Sequence, residues 1–388
     1  MLLELRQKEI LRLIWRESRL SRWELHERTG VNPNAIGSEA AALLQLGILK
    51  EGSPESVGQG RPRIPLEIDM ATRHVLGLSF GQGQVELARL NLRGQMLGKS
   101  QVQATDLPQE ALQTAARLLR QTVKDQTLAI GISSRGFLDQ ANKSILFSAL
   151  NRTPHPLNLE GIFTAAAGKP IVFENDMHAL AVRWLLTHLA EEREDVLLVY
   201  AGDGRLGAAM LIDGRPNRGC LSGANELGHT RLPVETEPCY CGHIGCLERI
   251  CSSAFLTANQ PASGANGQAA HNKEWESANE TTSQSALFDR AAQYSPTDER
   301  MRQMLRLLAM GIANAVNFMR PNRLVLVSEL TRYAAFSDEL MREIRANLLY
   351  QLVNHIRIDA WDQPGAVSAE SAGWLALAGL YQAGWNPL

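Results

Sequence analysis

No apolar stretch of this 388-residue chain approaches the roughly 20 residues that a membrane-spanning helix needs. Its first residues, MLLELRQKEILRLIWRES, scatter charges among the apolar positions, unlike a secretory signal, so a cytoplasmic protein without a membrane partner is expected. A surplus of charge is missing too. With 39 Lys and Arg against 41 Asp and Glu, the molecule has no general basic field for nucleic acid, and any DNA contact must come from one local surface. Cysteine is scarce: five residues, all between Cys220 and Cys251. That rules out a disulfide scaffold, and in a reducing compartment such clustering reads as metal chemistry. What the chain does have is 45% hydrophobic and 21% charged residues, enough for a substantial core in two or three domains and unlike disordered or collagenous composition.

Leu3, Ile10, Leu13 and Ile14 recur at near-helical spacing and predict a first amphipathic helix over 2–17. Ser21 with Glu24 forms a capping-box pattern that opens a second helix, running to about Thr29. Gly30 supplies a turn before Asn32 as N-cap and Pro33 at the first position of a third helix, which ends at Gly47. Ile48-Leu49-Lys50 and Ile64 to Ile68 then fit a two-stranded wing. From Val75 the pattern changes to short apolar strands alternating with helices (VLGLSF, VELARLNL, LAIGISS, IVFEN, VLLVYAG, GAAMLI, and later RLVLV), the grammar of an α/β chain. The polar segment from Thr257 to about Ser285 lacks either period and reads as a surface insertion.

Residues 1–70 therefore read as a winged helix-turn-helix, in which the third helix enters a major groove and the wing follows the backbone or minor groove. Asn34, Gly37 and Ser38 would face the DNA. Arg61 and Arg63, flanking Pro62 at the wing tip, would meet phosphates or a narrow minor groove. The competing reading is a protein-binding module, because these 70 residues hold ten Lys/Arg and ten Asp/Glu, and the third helix holds no Lys or Arg. The geometry favours DNA.

His229 followed by Cys239-Tyr-Cys241-Gly-His-Ile-Gly-Cys246 places three thiols and an imidazole where they can close one tetrahedral Zn²⁺ site. Three Cys and one His leave no coordination position open, so the ion would be structural. His243 is a rival ligand, but inside the short Cys-to-Cys loop it would be strained, and His229 is preferred; Cys220 and Cys251 read as ordinary buried thiols. Gly202-Asp-Gly-Arg-Leu-Gly207 fits a phosphate-cradling pattern, yet a strand follows it instead of a helix, which favours a tight hairpin. Glu174, Asn175 and Asp176 after the strand IVF, together with Glu226 and Glu248, are groups that hold vicinal hydroxyls; Asn175 or Asp176 could equally cap the next helix.

In order and spacing, Glu174-Asn-Asp176, the Gly202–Gly207 turn, Glu226-Leu-Gly-His229 and Cys239-x-Cys-Gly-x-x-Gly-Cys246-x-Glu248, preceded by Gly131-Ile-Ser-Ser-Arg-Gly136, resemble the ROK family of sugar kinases and sugar-responsive repressors. The amino-terminal winged helix is that of its repressor branch. The resemblance implies an actin-like (ribonuclease H-like) two-lobed α/β domain over 75–388. About 75–185 plus the C-terminal helix would form the small lobe and about 186–375 the large lobe, with a zinc loop at 229–248. It also implies sugar in the cleft between the lobes and assembly as homodimers or homotetramers. Asn175, Asp176, Glu226, His229 and Glu248 fall on the family's sugar contacts, and His229, Cys239, Cys241 and Cys246 on its zinc ligands. His229 would then serve both, one ring nitrogen on the metal and the other toward the sugar. In the family's kinases the residue matching Asp176 takes the proton from the accepting hydroxyl.

Departures separate the branches. Ser79-Phe-Gly81-Gln82-Gly83 stands where the kinases have an Asp-x-Gly-Gly-Thr phosphate turn, and Val327-Ser-Glu-Leu330 where they present glycines to adenosine. Asp203 would repel a triphosphate. Asn225 replaces the usual glycine before Glu226. The nucleotide elements are degraded and the sugar elements kept. The expectation is a transcriptional regulator, a repressor of non-enzymatic character, that binds operator DNA and is modulated by a sugar or sugar phosphate. An ATP-dependent sugar kinase carrying a DNA-binding head is the alternative.

Overall fold

The computed structural model of the chain describes residues 3–56, 62–81, 84–103, 108–147, 156–188, 194–219, 223, 225–257, 283–362 and 368–382. Arg61, Cys220 and residues 258–282 of the polar insertion lie outside the described residues. Contacts divide the chain into two units: Met1–Ala190 with Leu221–Gly223 and Val367–Leu388, and Glu191–Cys220 with Ala224–Ala366.

The amino-terminal helices start and stop where side chains satisfy the free amides of a helix end. After α1 (Leu5–Glu17), Ser21 and Glu24 cap each other's backbone to open α2 (Arg22–Thr29), and Gly30, at φ 66°, turns the chain out of it. Asn32 Oδ1 accepts from the Asn34 amide and Pro33 occupies the first turn of α3 (Pro33–Gln45). Ile10, Ile14, Leu25, Ile36 and Leu43 are fully buried in the middle of this head. A strand that the sequence pattern does not announce, β1 (Arg19–Ser21), pairs with β3 (Pro65–Ile68), which also pairs with β2 (Leu49–Glu51). Three residues are too few to display an alternating period, so β1 is visible only through its partner.

The first unit's main sheet has the order β11-β7-β4-β5-β6. Here β4 (His74–Gly81), β5 (Gln84–Asn91) and β6 (Met96–Gln103) form an antiparallel meander, while β7 (Thr127–Ser134) and β11 (Ile171–Asn175) run parallel to β4. A small side sheet joins β8 (Phe137–Asp139), β9 (Ser144–Phe147) and β10 (Leu157–Asn158). One helix, α4 (Pro108–Thr122), precedes β7, α5 (Glu160–Ala165) precedes β11, and α6 (Asp176–Thr187) follows it directly. The C-terminal helix Ala369–Tyr381 lies so close to the sheet that a Cβ at Gly77 would sit 1.9 Å from the Ala369 carbonyl and one at Gly131 would sit 1.7 Å from that of Ala372. Arg183 of α6 pairs with Glu370 of this helix at 2.9 Å.

Within this unit the head is fastened to the sheet. Arg93, in the β5–β6 turn, donates to the carbonyls of Ile14, Trp15 and Ser18 at the end of α1, where the helix leaves acceptors free. Trp15 meets Trp374 edge-on at 5.9 Å and Tyr381 at 4.7 Å, and the Tyr381 hydroxyl donates to the Leu92 carbonyl. Arg73 does the same for α3, donating to the Leu46 carbonyl and to that of Asp125. Charge-assisted hydrogen bonds of this kind contribute about 1.5–3 kcal/mol each before desolvation is counted. Arg93→Ala is expected to lower the unfolding free energy by about 2 kcal/mol and to speed proteolytic cleavage near Ser18. A variant with the parent's denaturation midpoint and cleavage pattern would mean that Trp15 packing alone seats the head.

The second unit is built on a sheet of order β14-β13-β12-β15-β16. Its strands are β12 (Val196–Gly202), β13 (Arg205–Ile212), β14 (Arg215–Pro216), β15 (Arg323–Val327) and β16 (Arg357–Trp361). The helices Glu299–Met319 and Ala334–Asn347 cover it, burying Leu305, Ile312, Phe336 and Ile344 against Leu197, Val199 and Leu324.

Candidate functional site

Parallel strand β11 is buried at every position and delivers Glu174 and Asn175 at its carboxyl end, with Asp176 opening α6. Asn175 serves as the helix cap: its Oδ1 accepts from the Met177 amide at 2.8 Å and its Nδ2 donates to the Gly136 carbonyl at 3.0 Å. Asp176 is only 8% exposed. Burial pushes its carboxyl above the usual carboxylate range, and Arg135, with Nε 3.6 Å from Oδ2, pulls it back. Behind it Glu174 and His178 are fully buried, Oε2 to Nδ1 at 3.2 Å, and Gln140 donates to Glu174 Oε1 at 3.0 Å. Sequence reasoning passed over Arg135 and His178; a cation beside Asp176 shows only when the Gly131–Gly136 turn is seen next to the end of β11.

In the second unit the turn Leu227–His229 packs so tightly that a Cβ at Gly228 would lie 2.3 Å from the Leu206 carbonyl. Asn225 is structural here, its Oδ1 accepting from the Met210 amide at 2.8 Å and its own amide pairing with Ala208. Gly242 (φ 89°) and Gly245 (φ 83°) provide the left-handed residues that fold Cys239 to Cys246 back on itself. One ligand atom each from His229, Cys239, Cys241 and Cys246 lies within 4.8 Å of all the others, a group that could hold a metal ion. His229 Nδ1 is 3.7 Å from Cys239 Sγ, and Cys241 Sγ is 3.6 Å from Cys246 Sγ. Tetrahedral Zn²⁺ with ordinary bond lengths sets its donors roughly 3.5–3.8 Å apart, the range of these two separations. Burial raises the Cys239 thiol, and burial with the neighbouring Cys241 pushes Cys246 up to about 11; a cation among them would reverse that order. His243 turns its Nδ1 to Cys241 at 3.5 Å.

The other imidazole nitrogen of His229 faces polar groups. Tyr240 Oη is 2.9 Å from Nε2, and carboxylate oxygens of Glu226 and Glu248 are 3.7 and 3.9 Å away. Glu248 lies two residues past Cys246, which caps the short helix Leu247–Ile250, so the metal-type turn and this carboxylate are positioned together. Tyr240 carries no motif signature and was not anticipated from sequence.

Asp203 and Ser328 are each held by the chain's own groups. Asp203 and Gly204 form the two-residue turn of a β12–β13 hairpin, closing Gly202 against Arg205. The Asp203 carboxylate accepts from the Ser253 amide at 2.7 Å and its hydroxyl at 2.5 Å, while burial raises its pKa against these bonds. Ser328 Oγ donates to the Ala201 carbonyl and accepts from the Leu330 amide, capping the turn Glu329–Arg332. Gly81 pairs with Gln84 in the β4–β5 hairpin, whose residues 82 and 83 lie outside the described residues.

On the head, Asn34 and Ser38 are exposed and Gly37 is half-buried with open space beside its Cα. Ala41 and Gln45 continue their exposed stripe down α3. Arg63 lies with its guanidinium 3.8 Å from the ring centre of Trp23, which is 50% exposed. Nearby cations are paired with carboxylates, Arg19 with Glu55, Arg22 with Glu51 and Lys50 with Glu67, which explains structurally why the head carries so little free positive charge.

The fold is that of the ROK regulators. It is similar to a crystal structure described as a ROK family transcriptional regulator, homolog of the Escherichia coli MLC protein, with a TM-score of 0.74 at 19% identity over 97% of this chain and 96% of that one. A ROK family glucokinase from Streptomyces griseus, solved with glucose and AMPPNP, matches at a TM-score of 0.60 and 19% identity over 78% of this chain and 99% of its own. Residues 75–378 match the ROK family, and the chain belongs to it. Among curated relatives, the xylose repressor of Caldicellulosiruptor bescii is 23% identical over 352 residues, 86% of each chain.

Proposed function

We infer that this chain is a sugar-responsive transcriptional regulator, a repressor, that binds operator DNA through its head and adjusts that binding to a sugar or sugar phosphate. One observation carries the reading. The polar groups expected of sugar contacts, Asn175, Asp176, Glu226, His229 and Glu248, remain at strand ends and turns, while Asp203 and Ser328 are tied into the chain where a kinase would receive ATP. The likeness to repressors over most of the chain, including the head, supports it. We further propose that His229, Cys239, Cys241 and Cys246 hold one structural Zn²⁺, which when bound neutralises the thiolates and fixes the turn that carries Glu248. By this reading residues 1–70 are the DNA-binding domain and 75–388 the sugar-binding domain, the protein acts without catalysis, and symmetric dimers or tetramers present two heads to one operator.

The test pairs operator binding with turnover. Genomic fragments would be titrated with and without D-xylose, D-glucose and glucose 6-phosphate, and ADP formation would be measured with each sugar and ATP. A sugar-dependent change in operator affinity without ADP release is expected; sugar-dependent ADP release would establish the kinase alternative. Arg63→Ala should weaken operator binding and reduce the slope of log affinity against log salt by about 0.9, one counterion's worth. An unchanged slope would remove the wing from the DNA interface.

A further inference from the structure

Tyr240 stands inside the metal-type turn but contributes no ligand atom to it. Its hydroxyl lies 2.9 Å from His229 Nε2, its ring meets the imidazole edge-on with centroids 5.0 Å apart, and Glu248 Oε2 lies 3.9 Å from the same nitrogen. His229 Nδ1 faces Cys239, so Nε2 is the nitrogen left for a second partner. A hydroxyl placed between an imidazole nitrogen and a carboxylate can accept from the first and donate to the second. A sugar hydroxyl would make the same pair of bonds with the same two residues.

We propose that Tyr240 is a specificity-determining residue of the effector site, its hydroxyl competing with an effector hydroxyl for one place on His229 and Glu248. The assignment rests on the sugar-regulator reading above. It makes binding at this point an exchange of one hydroxyl for another, so the effector gains only the difference between two similar sets of hydrogen bonds. The phenol keeps the His229 nitrogen satisfied, which spares a half-buried imidazole the cost of going unpaired. An effector that cannot place a hydroxyl here cannot meet that cost, so the phenol also rejects wrong ligands.

The experiment compares zinc-loaded, full-length wild type with Tyr240→Phe, which keeps the ring and its packing. Calorimetric titration with D-xylose, D-glucose and glucose 6-phosphate gives affinity, elemental analysis gives zinc content, and operator release by the same sugars gives the response. Tyr240→Phe is expected to retain its zinc, to bind the effector about tenfold more tightly and to release operator at correspondingly lower sugar concentration. Unchanged affinity overturns the assignment, and so does weaker binding, which would make the hydroxyl an effector contact. Loss of zinc from the variant overturns it as well, by making Tyr240 a support for His229. If no sugar binds wild type or moves its operator affinity, the sugar reading itself fails and this assignment with it. Sugar binding that Tyr240→Phe leaves untightened removes this assignment alone.

Discussion

Elemental analysis of the purified chain is expected to return one zinc per molecule after dialysis against a mild chelator, and far less from Cys246→Ser. The reason lies in the donors. With three thiols and an imidazole within 4.8 Å of one another, and with Cys239 and Cys246 both holding their protons more tightly than a free thiol, the turn without a cation must either stay protonated or accept thiolate repulsion. Zinc removes the protons and pays that cost, so its binding should release protons and raise the unfolding midpoint. The loss of one ligand propagates. Cys246 stands two residues before Glu248 at the cap of the same short helix, and Arg231 bridges to Cys246 across the same turn, so Cys246→Ser should weaken sugar binding tenfold or more, in line with the cost of disturbing a metal site's supports. Metal far below one per chain in the wild type would sink the zinc assignment, while full zinc in Cys246→Ser would point to a different ligand set.

Asp176→Asn should lose most of the response to the effector while leaving operator affinity without sugar near that of the wild type. A carboxylate accepting from a sugar hydroxyl contributes about 1.5–3 kcal/mol, so its replacement should weaken sugar binding roughly tenfold or more. The response acts through the difference in affinity between two states of the protein, so weakening the ligand removes the shift without altering the ligand-free equilibrium. The pH dependence carries a sign. Asp176 sits above its ordinary value of 3.8 because it is buried, so acid should protonate it earlier than a free aspartate, and sugar affinity should fall with pH from above that value downward. For the fold itself the direction is opposite: a raised carboxyl stabilises the protonated protein, and that contribution is lost as pH rises through the folded-state pKa. In Asp176→Asn both dependences should flatten. Full sugar response in this variant would remove Asp176 from the effector site; ADP formation by wild type that the variant abolishes would make Asp176 a catalytic base.

Much of the architecture could be read locally because its causes are local. The capping box of Ser21 and Glu24, the Asn32-Pro33 start of α3 and the Asp203-Gly204 hairpin turn each involve groups within four residues, and the structure places them as the pattern predicts. The Cys239–Cys246 spacing belongs to the same class, since two glycines with positive φ suffice to close it. The exceptions have distant causes. Strand β1 exists because Arg19–Ser21 meet Pro65–Glu67, and Asn225, which looks like a departure in a sugar motif, is explained by the Met210 amide it holds.

By itself, then, the sequence determined the order of elements, the winged helix ahead of an α/β domain and the His/Cys group, since each depends on residue type at short spacing. Tertiary structure alone decided which side chains answer the site groups. Arg135 draws down the carboxyl of Asp176, Tyr240 meets the free face of His229, and Arg93 binds the head to the sheet from more than 70 residues away along the chain. Hydrogen bonds and ion pairs act over a few ångströms in space, whatever the separation in sequence, and buried polar groups must find such partners. Composition and period carry no record of that pairing, which is set when sheet register and helix packing bring the partners together.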